Sequence, residues 1–275
     1  MRPERWYTPR GVLERPTTLV LVLLMTSGVF SACRTPESVT TDIAVFVDWT
    51  EVEEHNGSIL LAEDERLDRL LKSITTRDIS DTRLNGGSIT FYPINAHGLL
   101  GSGRHASLRL SNLNQNEFAR LQEIDQFYAD AREAFEDFLQ DEVDAAHEET
   151  SRYRQSFIVQ PLCQYLATVD GAPQTNHRRH VVVFSDLLEH SSTFSFYLGT
   201  HTPDYLRTHR DEVADRFMEE CGVIQAPVPV EYKIVRHPLL KDAPLDISMR
   251  QYEAQHIWNI FFQKLGLHED STLAL

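Results

Sequence analysis

Little in this chain is positively charged, and that shortage narrows its partners. Of 275 residues, 26 are Lys or Arg and 41 are Asp or Glu, a net charge of −15. Phosphate contacts need clustered basic side chains, so nucleic acid and anionic lipid surfaces are disfavoured as direct partners. Lysine is scarcest: the body has only Lys72, Lys233, Lys241 and Lys264. The three cysteines, Cys33, Cys163 and Cys221, have no metal-ligand spacing. Gly98, Gly101 and Gly103 do not make a dinucleotide fingerprint, because neither their spacing nor the following helix start is right. No Gly-x-Ser-x-Gly elbow occurs, which argues against a serine hydrolase of that type. The histidines are scattered, with no metal-ligand pair on one helix face. No apolar run reaches the ~18–20 residues of a membrane-spanning helix. What remains is ordinary globular composition, 41% hydrophobic and 24% charged, in a chain long enough to bury a sizeable core.

The N-terminus is organised differently from the rest. Arg2, Arg5, Arg10 and Arg15 precede the apolar run 19–25, which fades into small residues before Cys33. Basic region, short apolar core and small residues make residues 1–32 a secretory signal peptide. Its removal takes away four arginines and two glutamates and leaves 22 basic against 39 acidic side chains, a net charge of −17. Phe30-Ser31-Ala32-Cys33 resembles the bacterial lipobox. The resemblance implies a diacylglyceryl thioether on Cys33 and N-acylation, so that several acyl chains anchor the protein stably to a membrane. Arg34 is not the aspartate that retains such proteins at the inner membrane of a Gram-negative cell, so the outer membrane is favoured in such a host. Residues 33–41 are polar, include Pro36, and read as a lipidated tether. In this oxidising compartment Cys163 and Cys221 form either a disulfide or two buried thiols.

The folded part, residues 42–275, is organised around Ile43-Ala44-Val45-Phe46-Val47-Asp48. Five apolar residues in a row fit a strand covered on both faces, with Asp48 at its carboxyl end. His180-Val181-Val182-Val183-Phe184-Ser185-Asp186 repeats the form. Between and after them the pattern predicts helices over 58–75, 114–151, 155–166, 205–221 and 247–265. Strands are predicted at 88–94 and 228–235, the latter near a sheet edge because of Pro229. Gly86-Gly87 reads as a turn, and Ser156 as a cap for the helix that holds Pro161. The 114–151 helix is a long acidic insertion: twelve acids between Gln115 and Thr150 face only Arg120 and Arg132. Alternating strands and helices of these lengths predict an α/β fold, doubly wound, its mostly parallel sheet flanked by helices.

Hydroxyls and carboxylates meeting at a strand rim suit a hard cation with oxygen ligands. Asp48-Trp49-Thr50-Glu51-Val52, Ser156 and Ser185-Asp186 stand in that order. On these residues the chain resembles the von Willebrand factor A family, in which Asp-x-Ser-x-Ser, a loop threonine and a later Thr-Asp form a metal-ion-dependent adhesion site. The resemblance implies a metal site of Asp48, Thr50, Ser156 and Asp186, with Mg²⁺ as its ion. Val52 stands where the family has its second serine, so the implied site is degenerate. Two carboxylates at one rim also need counter-charge, for which His190 is the nearest candidate. The function this implies is a lipid-anchored envelope protein that binds a protein or cell-surface ligand and turns over no substrate. One rival is a Mg²⁺-dependent phosphatase of the haloacid dehalogenase type, with Asp48 as nucleophile and Thr50 and Asp186 in support. The other is a structural envelope protein that meets its partners through the acidic helix.

Overall fold

An apolar strand with no polar face needs cover on both sides, and the sheet is built around one. The computed structural model describes residues 39–48, 69, 84–95, 104–109, 117–148, 155–169, 177–222, 230–236 and 245–269. The expected signal peptide, Cys33 and, Arg69 apart, the helix expected over 58–75 lie outside these residues. The strands are β1 (Val39–Asp48), β2 (Leu84–Ile94), β3 (Arg104–Arg109), β4 (His177–Ser185), β5 (Val230–Arg236) and β6 (His268–Glu269). They lie in the order β3-β2-β1-β4-β5-β6. Five run parallel, and β3 alone is antiparallel, against β2. The helices are α1 (Glu117–Glu148), α2 (Val159–Val169), α3 (Pro203–Thr208), α4 (Arg210–Cys221) and α5 (Leu245–Lys264). The fold is the doubly wound α/β arrangement that the strand and helix pattern predicts.

β1 feeds both layers by simple alternation. Ala44 and Phe46 join the core formed by α2, α3, α4 and α5. Ile43, Val45 and Val47 join Ile89 and Phe91 against Ile124, Phe127, Phe135 and Phe138 of α1. Phe91 and Phe135 meet with ring centroids 5.1 Å apart. Each fully buried side chain of this size contributes about 1.5–3 kcal/mol. The long acidic helix is therefore one wall of the core. Its outer face carries Asp125, Glu133, Glu136, Asp137, Asp141 and Asp144. Three- and four-residue spacing along this helix puts Phe118 and Leu121 with its other apolar residues, yet both stand exposed, and Arg120 is buried instead.

Several local expectations change. β1 takes in Val39–Thr41, expected in the tether, because Val39 and Thr41 turn inward at alternate positions. Gly86-Gly87 is not a turn but part of β2, beside an irregularity in its pairing with β1. A Cβ on Gly87 would stand 2.2 Å from the Thr41 carbonyl oxygen, so the glycine permits a close backbone approach. The segment 205–221 is two helices, α3 and α4, divided at His209, whose N–H closes α3 onto Tyr205 and Leu206. β3 has a polar sequence that carries no strand signal of its own. β5, expected near an edge, is covered beyond β4 only by the two residues of β6.

Cys163 of α2 and Cys221 of α4 form a disulfide, with Cα atoms 5.1 Å apart.

Candidate functional site

In this strand order the chain leaves β1 in one direction to β2 and β3, and in the other through β4 to β5 and β6. The β1–β4 seam is thus the point where winding reverses, and ligands of open α/β sheets bind outside the carboxyl ends of strands there. Asp48 ends β1 and Ser185 ends β4, so the two acid-terminated runs deliver their residues to one seam.

Asp48 is 1% exposed, and both of its oxygens accept hydroxyl protons. Ser156 Oγ donates to Oδ1 at 3.1 Å, and Ser185 Oγ donates to Oδ2 at 2.7 Å. Ser185 Oγ also accepts the Leu187 N–H at 2.9 Å. A buried carboxylate without donors would carry a large desolvation cost, and these hydroxyls reduce it. Asp186 is buried but serves its own loop: Oδ1 accepts the Leu188 N–H at 2.7 Å and Oδ2 the Tyr197 hydroxyl at 3.1 Å. His190 does not take the counter-charge role expected of it towards these carboxylates. Its Nδ1 pairs with Ser195 Oγ at 2.6 Å, and its ring meets Tyr197 edge-on at 5.5 Å.

The loop after β4 is held in a costly shape. Leu187 has φ 69°, the left-handed region that costs a branched side chain about 1–3 kcal/mol. It is fully buried, and its carbonyl oxygen accepts the Trp258 indole N–H of α5 at 2.9 Å. Arg250, also on α5, donates to the Phe196 carbonyl and, at 3.0 Å, to that of Leu198. Backbone strain that the surroundings hold in place gathers at functional sites, and here it lies between Ser185 and Tyr197.

Ser156 is not the helix cap its position suggested. α2 begins at Val159, with Pro161 in the first turn, where a missing N–H costs nothing. The cap is Glu189: Oε2 accepts the Ile158 and Val159 N–H groups at 2.7 and 3.2 Å. Burial pushes the Glu189 carboxyl up to about 8, against the pull of these N–H donors, and Glu220 adds to the rise. Neither Glu189 nor Tyr197 stands out in the sequence. The glutamate four residues past a strand end carries no motif, and the tyrosine reaches Asp186 only through the loop's fold.

Of the four residues expected to hold a metal, Asp48 and Ser156 are joined directly, and Asp186 lies on the same rim. Thr50 lies outside the described residues, as does Val52. Asp48, Ser156 and Ser185 offer only oxygen, the donor type Mg²⁺ takes, so their chemistry fits a hard cation. Asp186 fits it less well, since both of its oxygens are engaged. Among the described residues no three His, Cys, Asp or Glu side chains come together as a metal site. No protein-family model matches this chain, and no curated protein is significantly similar to it.

Proposed function

We propose that this chain is a lipid-anchored envelope protein whose α/β domain binds a protein or cell-surface ligand at the β1–β4 rim. The observation that carries this reading is the Ser156–Asp48–Ser185 cluster at the seam where the sheet's winding reverses. Beside it Tyr197 and Leu198 stand about half exposed, while the Tyr197 hydroxyl reaches inward to Asp186. An aromatic ring presented to solvent and fixed at its polar end suits a contact surface. On this reading Asp48, Thr50, Ser156 and Asp186 form the degenerate Mg²⁺ site that the von Willebrand A resemblance implies. The ion would give a ligand carboxylate something to bind.

The envelope location rests on the signal peptide and on Cys33. The Cys163–Cys221 disulfide supports it, since such bonds persist where thiols are oxidised. Among the described residues no helix is long and apolar enough to cross a membrane. A Cys33→Ala protein should leave the membrane fraction; retention there would sink the anchor.

The rim is tested by cross-linking the full-length protein in its native envelope. Partners cross-linked to the wild type should be lost in Asp48→Ala and Tyr197→Ala. They should persist when Glu133, Glu136 and Asp137 on the outer face of α1 are changed to lysine. The reverse pattern would favour contact through the acidic helix. Robust hydrolysis of a phosphate ester with Mg²⁺, abolished in Asp48→Asn, would replace the binding reading with the phosphatase one.

A further inference from the structure

The amino ends of the central strands carry charges that the rim does not use. Asp42 of β1 lies in register with Ser88 of β2 on one side and with Arg179 of β4 on the other. Strand alternation puts all three on the face where Ala44, Phe46, Val181 and Val183 pack under the helices. His177 opens β4 two residues before Arg179, on the same face and nearer the strand end. The Asp42 carboxylate is bonded at both oxygens. Oδ1 accepts the Ser88 hydroxyl at 2.9 Å, and Oδ2 pairs with His177 Nδ1 at 2.9 Å. Arg179 is 5% exposed, and its Nη1 is buried without an acceptor. Tyr165 of α2 lies over these strands, its ring 5.7 Å from that of Phe46 and 5.8 Å from that of Tyr92. Burial pushes the Tyr165 hydroxyl above its ordinary value; Tyr92 and Asp42 add to the rise, and Arg179 opposes it.

A guanidinium keeps its charge inside a protein. Buried with one N–H group unmatched, beside a carboxylate already bonded to two other groups, this one calls for a further oxygen acceptor. A carboxylate supplies it in the planar pairing that a guanidinium favours. The neighbouring Asp42 repels a second negative charge, which disfavours phosphate against a monoanion. The way in is from the strand ends, where the His177 and Asp42 side chains are 26% and 30% exposed. Nη1 itself is closed to solvent, so only a small acid reaches it as those two side chains part.

We propose that Arg179, behind Asp42 and His177, binds a small monocarboxylate at the amino ends of β1 and β4. This site is separate from the rim: Asp42 precedes Asp48 by six residues along β1, about 20 Å. The acid joins β1 to β4 at the base of the seam that carries Asp48 and Ser185 at its other end.

The test is thermal unfolding of the full-length protein, in chelator at neutral pH, with sodium acetate or sodium chloride at equal ionic strength. It is run on wild type, Arg179→Met, Arg179→Lys and Asp48→Asn. Acetate in about tenfold excess over its dissociation constant should raise the wild-type melting temperature by about 3–6 °C relative to chloride. The rise should vanish in Arg179→Met and persist in Asp48→Asn. It should fall by at least about half in Arg179→Lys, which keeps the charge but not the planar fork. In chloride Arg179→Met should melt no lower than wild type, because it removes a buried charge that lacks a full set of partners. Should it nevertheless fold poorly, Arg179→Lys carries the decision. The proposal is overturned if acetate does no more than chloride for the wild type, or if wild type and the Arg179 variants gain equally. It also fails if phosphate gives a larger Arg179-dependent rise than acetate. A rise lost in Asp48→Asn and kept in Arg179→Met would place the acid at the rim and overturn it too.

Discussion

Replacing Glu189 by glutamine removes one titration from the protein interior, and the structure fixes its sign. Burial lifts this carboxyl from 4.5 to about 8 in the fold. Between those values the folded protein holds a proton that the unfolded chain has released, so stability falls as pH rises through the window. The penalty is absent below about pH 4.5 and complete above about pH 8. A tenfold change in proton affinity corresponds to about 1.4 kcal/mol, giving a ceiling of about 5 kcal/mol that water entry into the loop reduces. Glutamine keeps a carbonyl oxygen for the Ile158 and Val159 N–H groups and never ionises, so the difference between the two proteins isolates this group. The assay is urea unfolding in the presence of chelator at several pH values between about 5 and 9. Wild type should lose ~2–5 kcal/mol relative to Glu189→Gln over that range. A difference that stays constant to within about 0.5 kcal/mol would show that the carboxyl is not held in a low dielectric, and the reasoning would fail.

Other parts of the molecule give equally direct tests. Ser185→Ala leaves Asp48 Oδ2 without its 2.7 Å donor and should cost about 1–3 kcal/mol in urea unfolding. Gly87→Ala forces a methyl toward the Thr41 carbonyl and should cost about 1–3 kcal/mol, with a lowered melting temperature. Reducing Cys163–Cys221 opens a loop closed over 58 residues, which chain entropy values at about 4 kcal/mol. Titration of the unfolded, unreduced protein should find neither thiol free. Arg250→Ala frees the Phe196 and Leu198 carbonyls, so hydrogen exchange across 196–198 should quicken while the α1 amides stay protected.

The sheet was legible because its evidence is local and strong. Runs such as Ile43–Val47 and Val181–Phe184 have no polar face, and only a strand covered on both sides tolerates that. Their terminal Asp48 and Ser185-Asp186 followed, since direction and end are set once the strands are parallel. Polar β3 escaped because it gains its place by pairing with β2 and lying against α1, and Gly86-Gly87 misled because a glycine pair marks turns more often than close strand contacts. Glu189 and Tyr197 act through tertiary neighbours more than ten residues away in the chain, and no periodicity encodes such a meeting. Phe118 and Leu121 show the converse limit, for helical spacing says which residues share a face but not where the sheet beneath them ends.

The central place of β1 also has a kinetic consequence. It is the first strand of the sheet along the chain, yet one of its edges is closed only by β4, whose Ser185 lies 137 residues beyond Asp48. A chain that emerges N-terminus first therefore exposes an apolar strand with an open edge until most of its length is available. Contacts this distant slow folding, and such an edge invites pairing with other chains. The strand that anchors the domain is thus the one most in need of protection while the domain forms. Folding assistance, if the cell supplies any, has its most productive target at residues 43–47.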